Sequence, residues 1–370
     1  MIGGNHHNTL GVIRSLGEKN IHSEVILIGD DYDPYISHSR YITDFCQLHN
    51  VCDLCRELEN RKNRYVEKPI IFSCADFVTS HLDLHQDVLE PYYILPIGPN
   101  KGSITYFMDK ERMVEIAEKC SLRVPHIYDT HSILDNTSFP IIAKPLSSIE
   151  GSKGDISVIT DKSQLLEYID SSNCPRILFQ DFVEKETEFQ LIGCSLNGGE
   201  SVIIPGVSII IRQPKTTNTG FLKYVPFSDF PENGLVEKCT AFVQVIRYSG
   251  LFSIEFLRDK SGVDYFMEIN MRNDGNAICV TEAGVNLSYI WYAANAGYNF
   301  QDEINRKVRS VYVMPEFSDF SVAMRNYKIG LLNWLRDVRR TNRFMEYDSK
   351  DPKPFWILLY QTIKRRLIRF

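Results

Sequence analysis

The chain has 370 residues, 44% hydrophobic and 24% charged, with a formal net charge of -6 at pH 7. Such a length buries a full core and accommodates two or three packed units, while the acidic balance excludes the broad basic face on which nucleic-acid recognition depends. No apolar run approaches the ~20 residues of a membrane span and no signal peptide is evident, so a cytoplasmic protein handling small molecules is expected.

Residues 1 to about 100 alternate strand-like runs (25–28, 69–72 and 92–95) with helix-like ones (9–19, 53–62 and 76–84). That alternation reads as a small parallel α/β sheet. Residues 1–8 look like the end of a first strand and its turn into the helix; the strand is almost absent, which points to a start further upstream or to a short sheet edge. Gly3-Gly4 does not complete a dinucleotide fingerprint, and His6 and His7 suit capping or turn positions better than substrate contact. The nine cysteines are odd in number, scattered and mostly set in apolar runs, as reduced, buried thiols are. Cys52 and Cys55 form one CxxC, but no second pair or His-x-His follows, so a plain helix is expected there rather than a metal or redox centre.

A Pro/Gly/Asn/Ser-rich stretch, 96–103, reads as a linker. Beyond it, Met113, Ile116, Ala117 and Cys120 recur at helical spacing, with Asp109 placed to cap the helix and Lys110 at its start. From 140 to 275 strands joined by short turns dominate, with helices at 161–170 and 235–248 and a hairpin turn at 197–200. Residues 140–145 form a buried strand carrying Lys144, a costly placement unless the lysine meets an anion. The small-residue loop 147–154 lets backbone N–H groups approach phosphates, although such a loop is ordinarily only a turn. Strand 177–183 offers backbone groups at Asp181 and Val183 to an adenine edge, and Glu188 follows at a place suited to ribose hydroxyls.

The hairpin 250–272 is the most informative segment. With Asp259 to Gly262 as its loop and Arg258 facing Val263, Glu255 pairs with Phe266, and the period of two puts Glu255, Phe266, Glu268, Asn270 and Arg272 on one face. Phe252, Ile254, Phe256, Tyr265, Met267 and Ile269 then form the core face. Two carboxylates and an amide oxygen gathered on one side repel unless a cation intervenes, and hard oxygen ligands without Cys or His point to Mg²⁺. An ordinary solvated strand face is the alternative.

Taken in chain order, these residues resemble the ATP-grasp superfamily, which includes biotin carboxylase, D-alanine-D-alanine ligase and D-aspartate ligase. The matching set is Lys110, Lys144, the loop with Ser152, Lys153 and Gly154, the strand Gln180, Asp181, Phe182 and Val183, Glu188, and Glu255 with Glu268-Ile269-Asn270-Met271-Arg272. The resemblance covers about residues 1 to 295. It implies an α/β and α+β architecture: a parallel pre-ATP-grasp domain (1–100), a two-lobed ATP-grasp domain (101–183 and 184–300) and a basic, mainly helical extension (301–370). It also implies roles. Lys110 and Lys144 would hold the α/β phosphates of ATP, and Lys153 with the loop amides would cover the γ-phosphate. Gln180 to Val183 and Glu188 would take the nucleoside. Glu255, Glu268 and Asn270 would hold two Mg²⁺, with Mn²⁺ as an alternative ion. Arg272 would steady an acyl phosphate and the adduct that an amine forms with it. Two departures stand out: Glu150 lies in the phosphate loop, and Gln180 stands where many relatives carry Glu.

The expected reaction is therefore ATP-dependent joining of a carboxylate to an amine, with ADP and phosphate as products. A carboxylase or carbamoyl-phosphate-type reaction and a non-catalytic ATP sensor are the alternatives, and a homodimer is left open. Between 321 and 370, twelve basic side chains face four acids, a net +8 that leaves -14 on the first 320 residues. Residues 354–370 read either as an amphipathic helix on anionic membrane or as a helix docked on the acidic body.

Overall fold

The computed structural model describes residues 1–130, 132–134, 137–146, 156–172, 176–214, 217, 219–231 and 233–368. Near the N-terminus β1 (Ile2–Gly3), β2 (Ser23–Ile28) and β3 (Ile42–Leu48) form a parallel sheet in the order β1-β2-β3. Residues 70 to 73 and 94 extend it through isolated parallel bridges, Ile2 to Ser73 and Ile70 to Ile94, in place of the two strands expected at 69–72 and 92–95. β3 is not evident in the sequence because it is nowhere fully buried and Asp44 and Gln47 interrupt its apolar pattern. Helices cover both faces. Helix His7–Gly17 brings Leu10 and Ile13 onto Val25 and Leu27. Helices Leu54–Arg61 and Asp76–Leu84 bring Leu54, Leu58, Val78 and Leu82 onto Ile2 and Ile26. His6 caps the first helix, its ring accepting from the Asn8 N–H at 3.3 Å.

A second sheet, in the order β4-β7-β5-β6, is built from β4 (Ile127–Tyr128), β5 (Ile141–Pro145), β6 (Ser157–Ile159) and β7 (Ile177–Asp181). Every pairing in it is antiparallel. Helix Lys162–Ser171 covers it through Leu165. Asp161 caps that helix, its carboxylate accepting from the N–H groups of Ser163 and Gln164 at 2.9 and 3.0 Å, as a short acid at this position does.

The largest sheet has eight strands: β8 (Lys185–Leu196), β9 (Ser201–Ile203), β10 (Val207–Arg212), β11 (Phe221–Val225), β12 (Gly250–Asp259), β13 (Asp264–Asn270), β14 (Val311–Met314) and β15 (Arg343–Phe344). Their order is β13-β12-β8-β10-β11-β14-β15, with β9 beside β8. The strand that leaves the 197–200 turn breaks at 204–206, between β9 and β10, where Pro205 has no N–H to donate. At Gly206 a Cβ would lie 2.4 Å from the Val225 carbonyl oxygen. One face packs Phe189, Phe252, Phe256 and Phe266 against helix Leu235–Ile246. The other packs Ile192, Cys194 and Leu222 against helices Ile278–Ala283 and Leu287–Asn295, which also meet Val12, Leu16 and Phe72 of the first unit.

The C-terminal residues are not a separate appendage: β14 and β15 complete the large sheet. Arg212, fully buried, pairs with Asp319 at 2.8 Å through both Nε and a terminal nitrogen, and also with Asp337. Helices Glu316–Arg325 and Leu331–Arg340 are tied to the sheet by those two acids. Helix Lys353–Ile368 docks Ile357 and Leu358 onto the first unit. Arg14 is buried and anchors the preceding turn, donating to the Asp351 carboxylate at 3.1 Å and to the Asp351 carbonyl at 2.8 Å. Among the described residues no helix is long and apolar enough to cross a membrane.

Of the cysteines, Cys74, Cys194, Cys239 and Cys279 are buried, whereas Cys46, Cys55 and Cys120 are part-exposed and Cys52 is exposed. The expectation of mostly buried thiols is thus met by four of the eight described cysteines.

Candidate active site

β12 lies between β8 and β13, so Glu255 has Gln190 on one side and Glu268 on the other. The two carboxylates come side by side on the sheet face opposite Ile254 and Ile269. The expected register needs correction. Arg258 pairs with Asp264 and Phe256 with Phe266, because the loop closes one residue later than expected, and Glu255 pairs with Glu268 because Met267 is then an extra residue in β13. The later loop closure turns Phe266 to the core, and the bulge shifts the pairing by one more and returns Glu268 to the face of Glu255. Phe266 is consequently buried in the core with Phe256, and Tyr265 and Met267, expected in the core, are half-buried.

Glu255 is buried and receives the Asn270 amide N–H at 3.0 Å and the Gln190 amide N–H at 3.5 Å. Lys110, first residue of helix Lys110–Lys119, approaches Glu268 to 3.8 Å. Asp109 caps the helix by accepting from the Glu111 N–H at 3.0 Å. Its neighbour's backbone ties the site together, since the Lys110 N–H donates to the Leu146 carbonyl at 3.0 Å. Lys144 stands on β5 and is 6% exposed. Burial, and then the nearby Lys110 ammonium, pull its pKa down to about 8 against the opposing pull of Glu268 and Glu255. Two ammonium groups in one half-dry pocket facing two carboxylates suit a polyanion and a hard cation bound together.

Gln180 on β7 is buried, and its Oε1 has no hydrogen-bond partner among the described residues. Asp181 is drawn elsewhere: its carboxylate accepts from the Tyr128 hydroxyl at 2.6 Å, and its N–H donates to the His126 carbonyl at 2.9 Å. The Asp181 N–H, one of the backbone groups expected to be offered to an adenine edge, is therefore occupied by a backbone carbonyl. Phe182 and Val183 line an open cleft of about 500 Å³ with Pro140, Lys260 and Tyr265. Glu188, on β8, accepts from the Gln213 amide at 2.8 Å and pairs with Lys185. Ser152, Lys153 and Gly154 lie outside the described residues, as do Lys215, Thr216 and Asn218 between β10 and β11.

Arg272 continues β13 toward the first unit. Its Nε and one terminal nitrogen donate to Asp76 at 2.8 and 3.2 Å, the same terminal nitrogen to the Asn270 oxygen at 3.1 Å, and the other to the Asn273 carbonyl at 3.1 Å. Although burial opposes the charge, Asp76 and Asp274 drive the Arg272 pKa upward. The arginine is thus a tether to helix Asp76–Leu84, and the Asn270 oxygen expected to ligate metal is held by it.

Sequence reasoning gives no role to Asn8, Asp76 or Gln190. Asn8 donates to the Cys74 and Asn273 carbonyls, both at 3.0 Å. Asp274 accepts from the Ser253 hydroxyl at 2.9 Å, and Asn276 donates to the Gln190 oxygen at 2.8 Å. A readable signal exists for Gln190, a lone amide inside the apolar run Phe189-Gln190-Leu191-Ile192. None exists for Asp76, whose partner is 196 residues away. The His6 and His7 rings lie with centroids 3.7 Å apart, tilted by 41° to one another. Burial brings the His7 pKa down to about 4 against the pull of Asp274, so that ring is neutral at physiological pH, and His7 Nε2 is buried without a partner among the described residues.

No known family profile matches this chain. The carbamoyl phosphate synthase large chain of Rubrobacter xylanophilus is 23% identical over 236 residues, 60% of this chain and 22% of that one. The chain thus spans about a fifth of the length of that curated relative. Among solved structures, N5-carboxyaminoimidazole synthetase from Staphylococcus aureus superposes with a TM-score of 0.66 at 15% identity, covering 88% of this chain and 84% of that one. The biotin carboxylase domain of Hydrogenobacter thermophilus 2-oxoglutarate carboxylase, solved with MgADP and bicarbonate, gives 0.64 at 16% over 84% and 72%. L-amino acid ligase from Bacillus licheniformis gives 0.62 at 15% over 84% and 78%. By these likenesses the chain has the ATP-grasp fold.

Proposed function

We propose that this protein is an ATP- and magnesium-dependent ligase that joins a carboxylate to an amine through an acyl phosphate, releasing ADP and phosphate. The observation that carries the reading is the convergence of Lys110 and Lys144 on the Glu255–Glu268 pair. Neither pair is stable in such a pocket without the other charge, and MgATP supplies both complements. Glu255 and Glu268 would hold Mg²⁺, with the Asn270 oxygen as a further hard donor, and the ion would supply positive charge against the phosphates. Lys110 exchanges Glu268 for phosphate oxygens, and Lys144 keeps its proton against the same anion. Ser152, Lys153 and Gly154 belong to the loop assigned to the γ-phosphate. Gln180, Phe182, Val183 and Glu188 flank the nucleoside.

A carboxylate oxygen of the acid attacks the γ-phosphorus as the bond to the bridging oxygen of ADP breaks. The amine nitrogen then attacks the acyl carbon and loses a proton, and phosphate leaves with the acyl oxygen. Arg272 takes part by exchanging Asp76 for the developing oxyanion. The acceptor side is lined by His7, Thr219 and the Asn273 to Asn276 turn: a Cβ on Gly275 would lie 2.3 Å from Thr219 Oγ1 and 3.6 Å from His7 Nε2. The neutral His7 ring offers that unpartnered nitrogen to an amine N–H. A matrix of carboxylic acids and amines, read by ADP and phosphate release, tests the reading. Release that requires one member of each class supports it; release of AMP and pyrophosphate, or none across the matrix, contradicts it.

We further propose that the C-terminal helix meets an anionic lipid surface. Ile357 and Leu358 face the protein, whereas Trp356, Tyr360, Ile363 and Leu367 are exposed beside exposed Lys364 and Arg365. An outward apolar stripe edged by basic side chains is the pattern of an interfacial helix.

A further inference from the structure

The first unit holds a donor set that the ligase reading does not use. Cys55 lies in helix Leu54–Arg61, His81 in helix Asp76–Leu84, and His85 immediately follows that helix. The two helices share the core of Leu54, Leu58, Val78 and Leu82, which fixes their backbones and leaves the three donors at the rim, half-exposed. Four-residue spacing puts His81 and His85 on one helix face, and their ring centroids are 4.4 Å apart. His81 Nε2 is 3.3 Å from Cys55 Sγ, and one ligand atom from each residue lies within 4.8 Å of the others. Among the described residues this is the one group of three or more Cys, His or acidic side chains so arranged.

The tautomer of His85 is also fixed. Its Nδ1 lies 2.8 Å from the His81 carbonyl oxygen, and a carbonyl can only accept, so the proton is on Nδ1 and the lone pair on Nε2. A backbone carbonyl in this position is the usual support of a metal-bound imidazole. The sequence adds a fourth donor. Cys52 stands three residues before Cys55 with its side chain exposed, and Asn50 holds its N–H at 2.9 Å. Cys-x2-Cys followed by His-x3-His is the ligand spacing of closed zinc sites.

We propose that Cys55, His81 and His85, completed by Cys52, bind a zinc ion that clamps helix Leu54–Arg61 to helix Asp76–Leu84. Thiolate and imidazole donors select zinc over magnesium. Zinc–sulfur and zinc–nitrogen bonds of about 2.3 and 2.0 Å set sulfur and nitrogen about 3.5 Å apart in a tetrahedron. The 3.3 Å Cys55–His81 separation already approaches that value. The clamp has a use: helix Asp76–Leu84 begins with the aspartate that holds Arg272, so fixing this helix fixes the tether.

The test uses the full chain, reduced and stripped of metal by chelator, then titrated with Zn²⁺ and separately with Co²⁺ in excess Mg²⁺. One equivalent is expected to bind, the cobalt form showing thiolate charge-transfer and tetrahedral ligand-field bands. Cys55→Ser and His81→Asn should each remove those bands, Cys52→Ser should weaken binding at least tenfold, and Glu268→Gln, in the other site, should leave the zinc affinity and the cobalt bands unaltered. Zinc should raise the thermal midpoint of the wild-type chain reversibly, a readout that stands even if a variant fails to fold. A midpoint indifferent to zinc, or tetrahedral cobalt bands surviving in folded Cys55→Ser and His81→Asn, overturns the site; undiminished binding by Cys52→Ser overturns the four-ligand form.

Discussion

At the scale of single residues, the account rests on charges that are costly alone. Lys144 is buried on β5 with its pKa drawn down to about 8, which places a penalty on the order of 3 kcal/mol on its charged form. In the free chain the folded state holds fewer protons than the unfolded one from about pH 8 up to the ordinary lysine range, so Lys144 makes stability rise with pH there. Nucleotide binding has the opposite slope, because phosphate selects the ammonium: calorimetry should show ATP affinity falling as pH rises through 8, and the slope should vanish in Lys144→Ala, whose affinity is lower by at least tenfold. An unchanged affinity in that variant removes Lys144 from the nucleotide site. Glu268→Gln keeps the shape of the side chain and loses one hard ligand. It should lower turnover at least a hundredfold with an unchanged circular dichroism spectrum; wild-type turnover in the folded variant would refute the metal assignment.

At the scale of elements, the hairpin 250–272 shows what a strand pattern can and cannot carry. Period-two alternation is enough to group Glu255, Glu268 and Asn270, since their placement depends only on the face each strand presents. The pairing is not legible in the same way: the loop takes one residue more than expected, which moves Phe266 from the expected polar face to the core, and the one-residue bulge at Met267 that returns Glu268 to the Glu255 face leaves no mark in the alternation. Capping is legible at Asp109 and Asp161, where the carboxylate acts within three residues of itself. Long-range ties are not, and Arg212 is the plainest case, its two acids lying 107 and 125 residues away. Removing one member of a buried ion pair leaves the other charge uncompensated. Asp319→Ala should therefore lower unfolding free energy by about 3 to 5 kcal/mol in denaturant titration, and a loss below about 1 kcal/mol, the range of an exposed pair, would show that the C-terminal helices are held by packing alone.

At the scale of the whole molecule, alternating strands and helices followed by antiparallel strands separate a parallel α/β unit from an antiparallel one, and the chain order of Lys110, Lys144, Glu255 and Glu268 carries the resemblance that names the fold. The C-terminal seventy residues are not readable in that way, because β14 and β15 are short and gain meaning only from the sheet they complete. The charge asymmetry of the tail leaves lipid and the protein body as rival partners; the helix Lys353–Ile368 gives one face to the body and leaves another exposed. Trp356→Ser together with Ile363→Ser spares the docked Ile357 and Leu358. The wild-type chain should sediment with vesicles rich in anionic lipid at low salt and be released by high salt, and the double variant should remain in solution. Wild-type chain that stays in the supernatant under those conditions would leave the helix a docking element alone.

The central claim is that phosphoryl passes from ATP to a carboxylate before the amine attacks. It is tested most directly by supplying the acid identified in the acid–amine matrix with both carboxylate oxygens isotopically heavy, together with ATP and the amine. The account predicts that one heavy oxygen appears in the released phosphate for each amide formed, because the acyl phosphate parts with a former carboxylate oxygen. Phosphate free of label, with amide formed at the normal rate, would contradict it.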